Sequence, residues 1–168
     1  KTSYLDKTSE TIYKPILDGN TLPYTYNDLY GKISINAANG SKVNFFGFGF
    51  TDDVKNYKSI SNFGWDSYGG GVNFVVIPGK SPVLIEGNVA YSDYTATLKE
   101  QNNPDRKSSI NGFNAGFAFT YFLGKNSLKY GIEMLGFKTV FDYTKSNGIR
   151  MSQVDNTTEL GAYVKYKA

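Results

Sequence analysis

Hydrophobic and polar residues alternate along much of the chain with a period of two, which is typical of β-strands. In one segment the apolar residues Ile85 and Val89 stand at odd positions, and the polar residues Glu86 and Asn88 stand at even positions. Because successive side chains of a strand point to opposite faces, each such segment predicts a strand with one apolar face and one polar face.

The alternation predicts an all-β protein in which about eight long antiparallel strands follow one another as an up-and-down meander. The predicted strands are residues 8–17, 26–38, 41–51, 62–77, 83–98, 109–123, 128–143 and 157–167. No break in composition divides residues 1–168, so we expect a single domain, whose pattern is least regular in residues 1–25. Apolar residues occupy both faces at Phe45-Phe46 and from Leu135 to Phe137, which indicates a bulge or a stretch covered by protein.

The connections between the predicted strands are of two kinds. Clusters of Gly, Pro and Asn predict tight turns at residues 38–41, 78–81 and 124–127. The other connections, residues 51–62, 99–108 and 144–156, are longer and more polar. Short turns at one end and long loops at the other are typical of outer-membrane barrels, so the pattern predicts a transmembrane β-barrel or a part of one.

Strand length agrees with this prediction. The segment at residues 83–98 is 16 residues long, whereas a strand needs only about 9–11 residues to cross a bilayer. Aromatic residues near the strand ends are candidates for the girdles at the two membrane interfaces. They are Tyr24, Tyr26, Tyr30, Trp65, Tyr68, Tyr91, Tyr94, Tyr121, Phe122 and Tyr130. Alternation does not say which face points inward, so a soluble lipocalin-like barrel that binds a ligand remains an alternative.

Composition narrows the chemistry. The chain has neither Cys nor His, which excludes disulfides, zinc-thiolate sites, cysteine nucleophiles and histidine bases. Its formal net charge of +3 is spread along the sequence, so we do not expect nucleic-acid binding. No carboxylate pair is spaced for catalysis, and no acidic loop has the spacing of a calcium site. We therefore expect no enzymatic activity, no cofactor and no metal.

Two groups of residues are candidates for contact with a ligand, although hydrated charges are the simpler interpretation of both. The first group stands at positions predicted to face a barrel lumen: Glu86, Asn88, Asn114, Glu133 and Glu159. The second group stands in the predicted long loops, where ligand contact is common: Asp52, Asp53, Asp105 and Arg106.

Three stretches carry a resemblance to a known family: LYGKISINAANGSKVNFFGFGF, WDSYGGGVNFVVIPGKSPVLIEGNVAYSDY and SINGFNAGFAFTYFLGKNSLKYGIEMLGFKT. Together they resemble the barrel of TonB-dependent outer-membrane receptors of the Bacteroidetes type, over roughly Thr25 to Lys167. The resemblance implies a barrel of about 22 strands, closed around a plug, that imports a nutrient across the bacterial outer membrane. It also implies contact with outer-membrane lipid, a plug domain, the remaining barrel strands, a TonB-type energiser and a surface lipoprotein.

The chain shows no recognisable plug or TonB box, and it ends in Tyr166-Lys167-Ala168 where such barrels usually end in an aromatic residue. We therefore expect an internal segment that forms part of the channel wall of a TonB-dependent transporter. A self-contained eight-stranded outer-membrane barrel with a structural or adhesion role is the other membrane alternative.

Overall fold

The computed structural model describes residues 24–57, 60–79, 81–145 and 147–168, which form β-strands joined by short connections. The strands are β1 (Tyr24–Asn36), β2 (Lys42–Tyr57), β3 (Ile60–Val76), β4 (Val83–Glu100), β5 (Asn103–Leu123), β6 (Asn126–Thr144) and β7 (Arg150–Lys167). Within these residues no helix is long and apolar enough to cross a membrane.

All seven strands belong to one sheet, and each strand pairs antiparallel with its neighbours in the order of the chain. This confirms the predicted all-β, up-and-down meander. The predicted strand at residues 8–17 lies outside the described residues. Among the described strands β1 pairs only with β2 and β7 only with β6, so closure into a barrel is not shown.

The register of the sheet sorts the side chains onto two faces. We call face 1 the side that carries the row Ile33, Phe45, Val72, Val89, Ala115, Met134 and Leu160. Face 2 carries the row Ser34, Asn44, Asn73, Asn88, Gly116, Glu133 and Gly161. Facing residues of antiparallel strands lie on the same side of the sheet, so each row is a continuous strip across all seven strands.

The connections that follow β1, β3 and β5 form one end of the sheet, called here the turn end. Gly40 and Gly124 have φ angles of 86° and 62°, a left-handed conformation that glycine adopts without steric cost. The first turn is closed by a 3.0 Å hydrogen bond from the Gly40 amide to the Ala37 carbonyl. Asn39 Nδ2 also donates to the Ile77 carbonyl at 2.8 Å, which links the first and second turns. The predicted tight turns are therefore confirmed, apart from Lys80, which is not among the described residues.

At the opposite end, the prediction of long loops is wrong. β4 extends to Glu100 and β5 starts at Asn103, so most of the predicted loop at residues 99–108 is paired strand. In the same way β2 extends to Tyr57 and β7 starts at Arg150. These segments are polar or of mixed polarity. Backbone pairing does not require apolar side chains, so the strands stay paired beyond the part of each strand in which apolar and polar residues alternate.

Of the two alternatives predicted at Phe45-Phe46 and at Leu135 to Phe137, the bulge is absent, because the register runs without interruption through both sites. Register shifts occur instead between Ile60 and Asn62 and between Leu98 and Glu100, at the end opposite the turns.

A single layer of sheet leaves its side chains open on both sides. No described side chain is completely buried, and Ala118 is the one hydrophobic residue among them that counts as buried. The described residues therefore lack a hydrophobic core of their own, and their apolar face must be covered by a second layer, by lipid or by another protein.

Candidate membrane-spanning surface and polar face

Face 1 is apolar over only part of each strand. On β4 the apolar residues run from Val83 to Tyr91, and the next residues on this face are Asp93 and Thr95. On β5 the same change falls between Phe113 and Asn111, which are the direct partners of Tyr91 and Asp93. The apolar part of face 1, from the turn end to the row of Tyr91, is called the apolar band.

The length of the band is at the lower end of the range of about 9–11 residues with which a tilted strand crosses a bilayer. Val83 to Tyr91 is nine residues, which is about 27 Å along a strand and about 20 Å after a tilt of roughly 45°. Transmembrane barrels carry an outward apolar band about 25 Å tall. Side chains in the band are open to their surroundings: Ile33, Leu160 and Val164 are 67%, 76% and 73% exposed.

Tyrosine side chains stand near both margins of the band. Tyr68 and Tyr91 mark the margin away from the turns, and Tyr121, Tyr130 and Tyr166 lie towards the turn end. All five are more than one-third exposed. Of the other girdle candidates from the sequence, Tyr26, Tyr30, Trp65, Tyr94 and Phe122 lie on face 2, so the candidates are divided between the two faces of the sheet.

An aromatic groove of about 450 Å³ lies in the band across β5, β6 and β7. The rings of Phe117 and Phe119 meet edge to face with centroids 4.9 Å apart, and Phe119 stacks on Tyr130 at 5.4 Å. Ala162 and Val164 form the other side of the groove. Its lining is almost wholly apolar, which suits a hydrocarbon chain.

Face 2 is polar at the level of the band. Ser34 Oγ donates to Asn44 Oδ1 at 2.7 Å, and Asn44 Nδ2 donates to Asn73 Oδ1 at 2.6 Å. Asn88 Nδ2 donates to Asn114 Oδ1 on the next strand. These bonds form ladders of amide side chains across neighbouring strands, and they satisfy Asn44, which is only 7% exposed.

Glu86 on β4 and Lys129 on β6 form an ion pair above the strand between them. On β5, Glu86 faces Ala118 and Lys129 faces Thr120, and both of these small residues are buried below the ion pair. Glu133 lines the same polar pocket of about 310 Å³, together with Asn88.

All five residues predicted to face a lumen lie on face 2. The structure brings Glu86, Asn88 and Glu133 into one pocket and joins Asn114 to Asn88. Glu159 stands apart on β7, where it faces Leu135. These five residues share one face, as the sequence predicts. Their role in lining a lumen stays a prediction.

The four ligand-contact candidates placed in loops lie instead on strands β2 and β5. Asp52 and Arg106 are on face 2, whereas Asp53 and Asp105 are on face 1. The loop assignment is wrong because both segments stay paired with their neighbours. Their contact with a ligand remains a prediction.

Beyond the band every strand continues away from the turns as what we call the projecting segment. It consists of residues 24–30, 48–57, 60–69, 92–100, 103–112, 137–144 and 150–157. Here face 1 is polar and carries ion pairs, such as Lys99 with Asp105 at 3.4 Å. A hydrogen bond from Ser152 and the Arg150 guanidinium 3.2 Å away lower the pKa of the Asp142 carboxyl below its ordinary value.

Face 2 of the projecting segment is aromatic, a feature that the sequence analysis missed. The ring pairs Phe48–Phe50 and Phe63–Trp65 each have centroids 5.2 Å apart, and Phe141–Tyr143 has centroids 6.3 Å apart. The two aromatic residues of each pair are separated by one residue. This aromatic-x-aromatic spacing near the strand ends is the sequence signal that predicts the aromatic part of face 2.

Among the described residues no group of three or more Asp, Glu, His or Cys side chains is placed to hold a metal ion. In comparisons with known proteins, no family model, no curated protein and no solved structure matches the chain.

Proposed function

We propose that this chain forms part of the wall of a transmembrane β-barrel in the bacterial outer membrane. In this arrangement face 1 contacts lipid over the apolar band, and face 2 lines the interior. The observation that carries the proposal is the height of the band, because face 1 is apolar for only nine residues of an 18-residue strand. The inward face of a soluble barrel has no reason to change from apolar to polar halfway along each strand.

The position of the band also supports one orientation of the sheet in the membrane. It reaches the turns at one end and leaves the projecting segment at the other. Outer-membrane barrels keep short turns on the periplasmic side and project on the extracellular side. The turns are therefore periplasmic in our proposal, and the projecting segment stands outside the cell.

The free edges of the sheet call for further strands. Each unsatisfied backbone group costs several kcal/mol in lipid, so β1 and β7 need partners beyond the pairs described. Together with the resemblance to TonB-dependent receptors, this favours a share in the channel wall of a larger barrel that imports a nutrient. The expected partners are the remaining barrel strands, a plug domain, a TonB-type energiser and a surface lipoprotein.

Lipid contact is testable with single cysteines, since the natural chain has none. Val89→Cys places a label in the band, Asn88→Cys places one on face 2 at the same height, and Thr97→Cys places one on face 1 beyond the band. We expect brominated lipid to quench a fluorophore at residue 89 strongly and fluorophores at residues 88 and 97 weakly. Equal quenching at residues 88 and 89 contradicts the proposal, as does a soluble monomer without detergent whose residue 89 label is shielded from lipid.

A further inference from the structure

Charge is divided unequally between the two faces of the projecting segment. On face 1 five carboxylates stand among five cations, and several of them form ion pairs. On face 2 the described residues supply four carboxylates, at Asp28, Asp52, Glu100 and Asp155, and a single cation at Arg106. Although the whole chain is positive, this one surface is negative.

The single cation on this surface already has partners. Arg106 forms an ion pair with Glu100 at 3.2 Å, and its guanidinium lies 5.5 Å from the centre of the Tyr143 ring. Among the described residues Asp28 and Asp52 form no ion pair. The surface therefore has excess negative charge beside exposed aromatic rings.

A pocket of about 410 Å³ brings these two properties together at β1, β2 and β3. Asp52 faces Trp65 directly across the strand pair, and Asp28 and Val54 also line the pocket. Trp65 stacks at a tilt on Phe63 with centroids 5.2 Å apart. An indole ring attracts a cation to its face, and a carboxylate next to it adds Coulombic attraction of the same sign.

We propose that this pocket binds an organic cation with a flat or bulky apolar group, such as a quaternary ammonium. The Trp65 ring covers the apolar part of the ligand, and Asp28 and Asp52 neutralise its charge. Charge complementarity excludes an anionic ligand of the same shape. The inference rests on the proposed function in one respect, which is that face 2 of the projecting segment is open to the barrel interior.

Trp65 is the only tryptophan of the chain, so its fluorescence reports on the pocket without a label. The test titrates the full-length protein in detergent with phenyltrimethylammonium, and in parallel with benzyl alcohol and benzenesulfonate. We expect a saturable change in emission with the cation and none with the neutral or anionic ring compound at the same concentration. Equal responses to the cation and to benzenesulfonate would overturn the proposal.

Two matched variants separate the pocket from general charge effects. Asp52→Asn removes a carboxylate from face 2, and we expect it to weaken cation binding about fivefold, in line with a partly exposed charge pair. Asp66→Asn removes the same charge from face 1 of the same segment, and we expect no change in affinity. Equal losses in both variants, or no loss in Asp52→Asn, contradict the proposal.

A third variant shows whether a loss of cation binding in Asp52→Asn comes from the pocket or from misfolding of that variant. Asp28→Asn lies on a different strand of the same pocket, and it should weaken cation binding in the same direction as Asp52→Asn. The readouts for the two proposals are independent. Absent lipid quenching at residue 89 refutes the membrane proposal, whereas an absent response of Trp65 to the cation refutes only the pocket.

Discussion

Aromatic rings lie over several glycines of this sheet. Phe74 and Phe117 stand on either side of Gly87, with ring centroids 6.2 Å apart, and Phe113 lies against Gly136. A glycine weakens a strand because it has no side chain to pack, and a neighbouring ring that covers its backbone compensates for part of that loss. At these positions the ring occupies space that a Cβ atom of the residue at the glycine position would need.

Gly87→Val should therefore destabilise the protein. The added side chain meets the Phe74 ring, and overpacking of this kind costs about 1–3 kcal/mol. The measurement is the free energy of unfolding in denaturant of the protein folded in detergent. Gly49→Val is the control, since nothing lies within 4 Å of a Cβ at that position. Equal losses in the two variants would show that the Phe74 ring is not the cause, and Phe74→Ala should relieve the loss in Gly87→Val alone.

At the scale of the strand, alternation predicts the parts that lie within the apolar band. Ile85 and Val89 alternate with Glu86 and Asn88 because one face of β4 is apolar and the other is polar. Beyond the band face 1 is polar and face 2 carries the aromatic rings, so the alternation does not continue in the same phase. In the most polar stretches, such as residues 99–108, the strands persist through backbone pairing without an apolar period, and the sequence alone predicts loops there.

Disulfide formation can test whether the ends of β4 and β5, for which the sequence predicts a loop, are paired strands. Thr97 and Lys107 are direct partners across the two strands on face 1. Facing Cα atoms in an antiparallel pair are about 4.5–5.5 Å apart, which is within the range that a disulfide bridges. We expect Thr97→Cys with Lys107→Cys to oxidise readily, as measured by a thiol-specific mass shift after mild oxidation.

The control pairs Thr97→Cys with Arg106→Cys, one residue away but on the opposite face, and it should stay reduced. Similar oxidation of both pairs would mean that residues 99–108 form a mobile loop, as the sequence alone suggests, and not a paired extension of the sheet.

For the whole molecule, the arrangement of the candidate site needed the register as well as the sequence. The shared face of Glu86, Asn88 and Glu133 follows from their parity along the strands. Their common pocket does not follow from this parity, because it also depends on the register that places Ala118 between Glu86 and Lys129. Likewise the pocket at Trp65 joins residues of the three consecutive strands β1, β2 and β3, so the aromatic-x-aromatic spacing predicts the rings but not the carboxylates that lie beside them.

Chain direction sets a further condition on a closed barrel. β1 and β7 both run from the projecting segment towards the turn end, since six antiparallel steps separate them. They are therefore parallel, and they cannot close an all-antiparallel barrel by pairing with each other. A second copy in the same membrane orientation does not help, because its β1 would also run parallel to β7. Closure needs an odd number of additional strands, given that bacterial outer-membrane barrels have an even total.

This condition separates the two membrane alternatives. If the chain is part of a larger barrel, then alone in detergent it should give no compact band that shifts on heating in gel electrophoresis, because its edges stay unpaired. If residues 8–17 form the eighth strand of a small barrel, the chain alone should give such a band. Deletion of residues 1–23 should then abolish the band, since it restores the odd strand count. A compact band that survives this deletion would contradict both alternatives, and it would require β1 and β7 to pair in parallel.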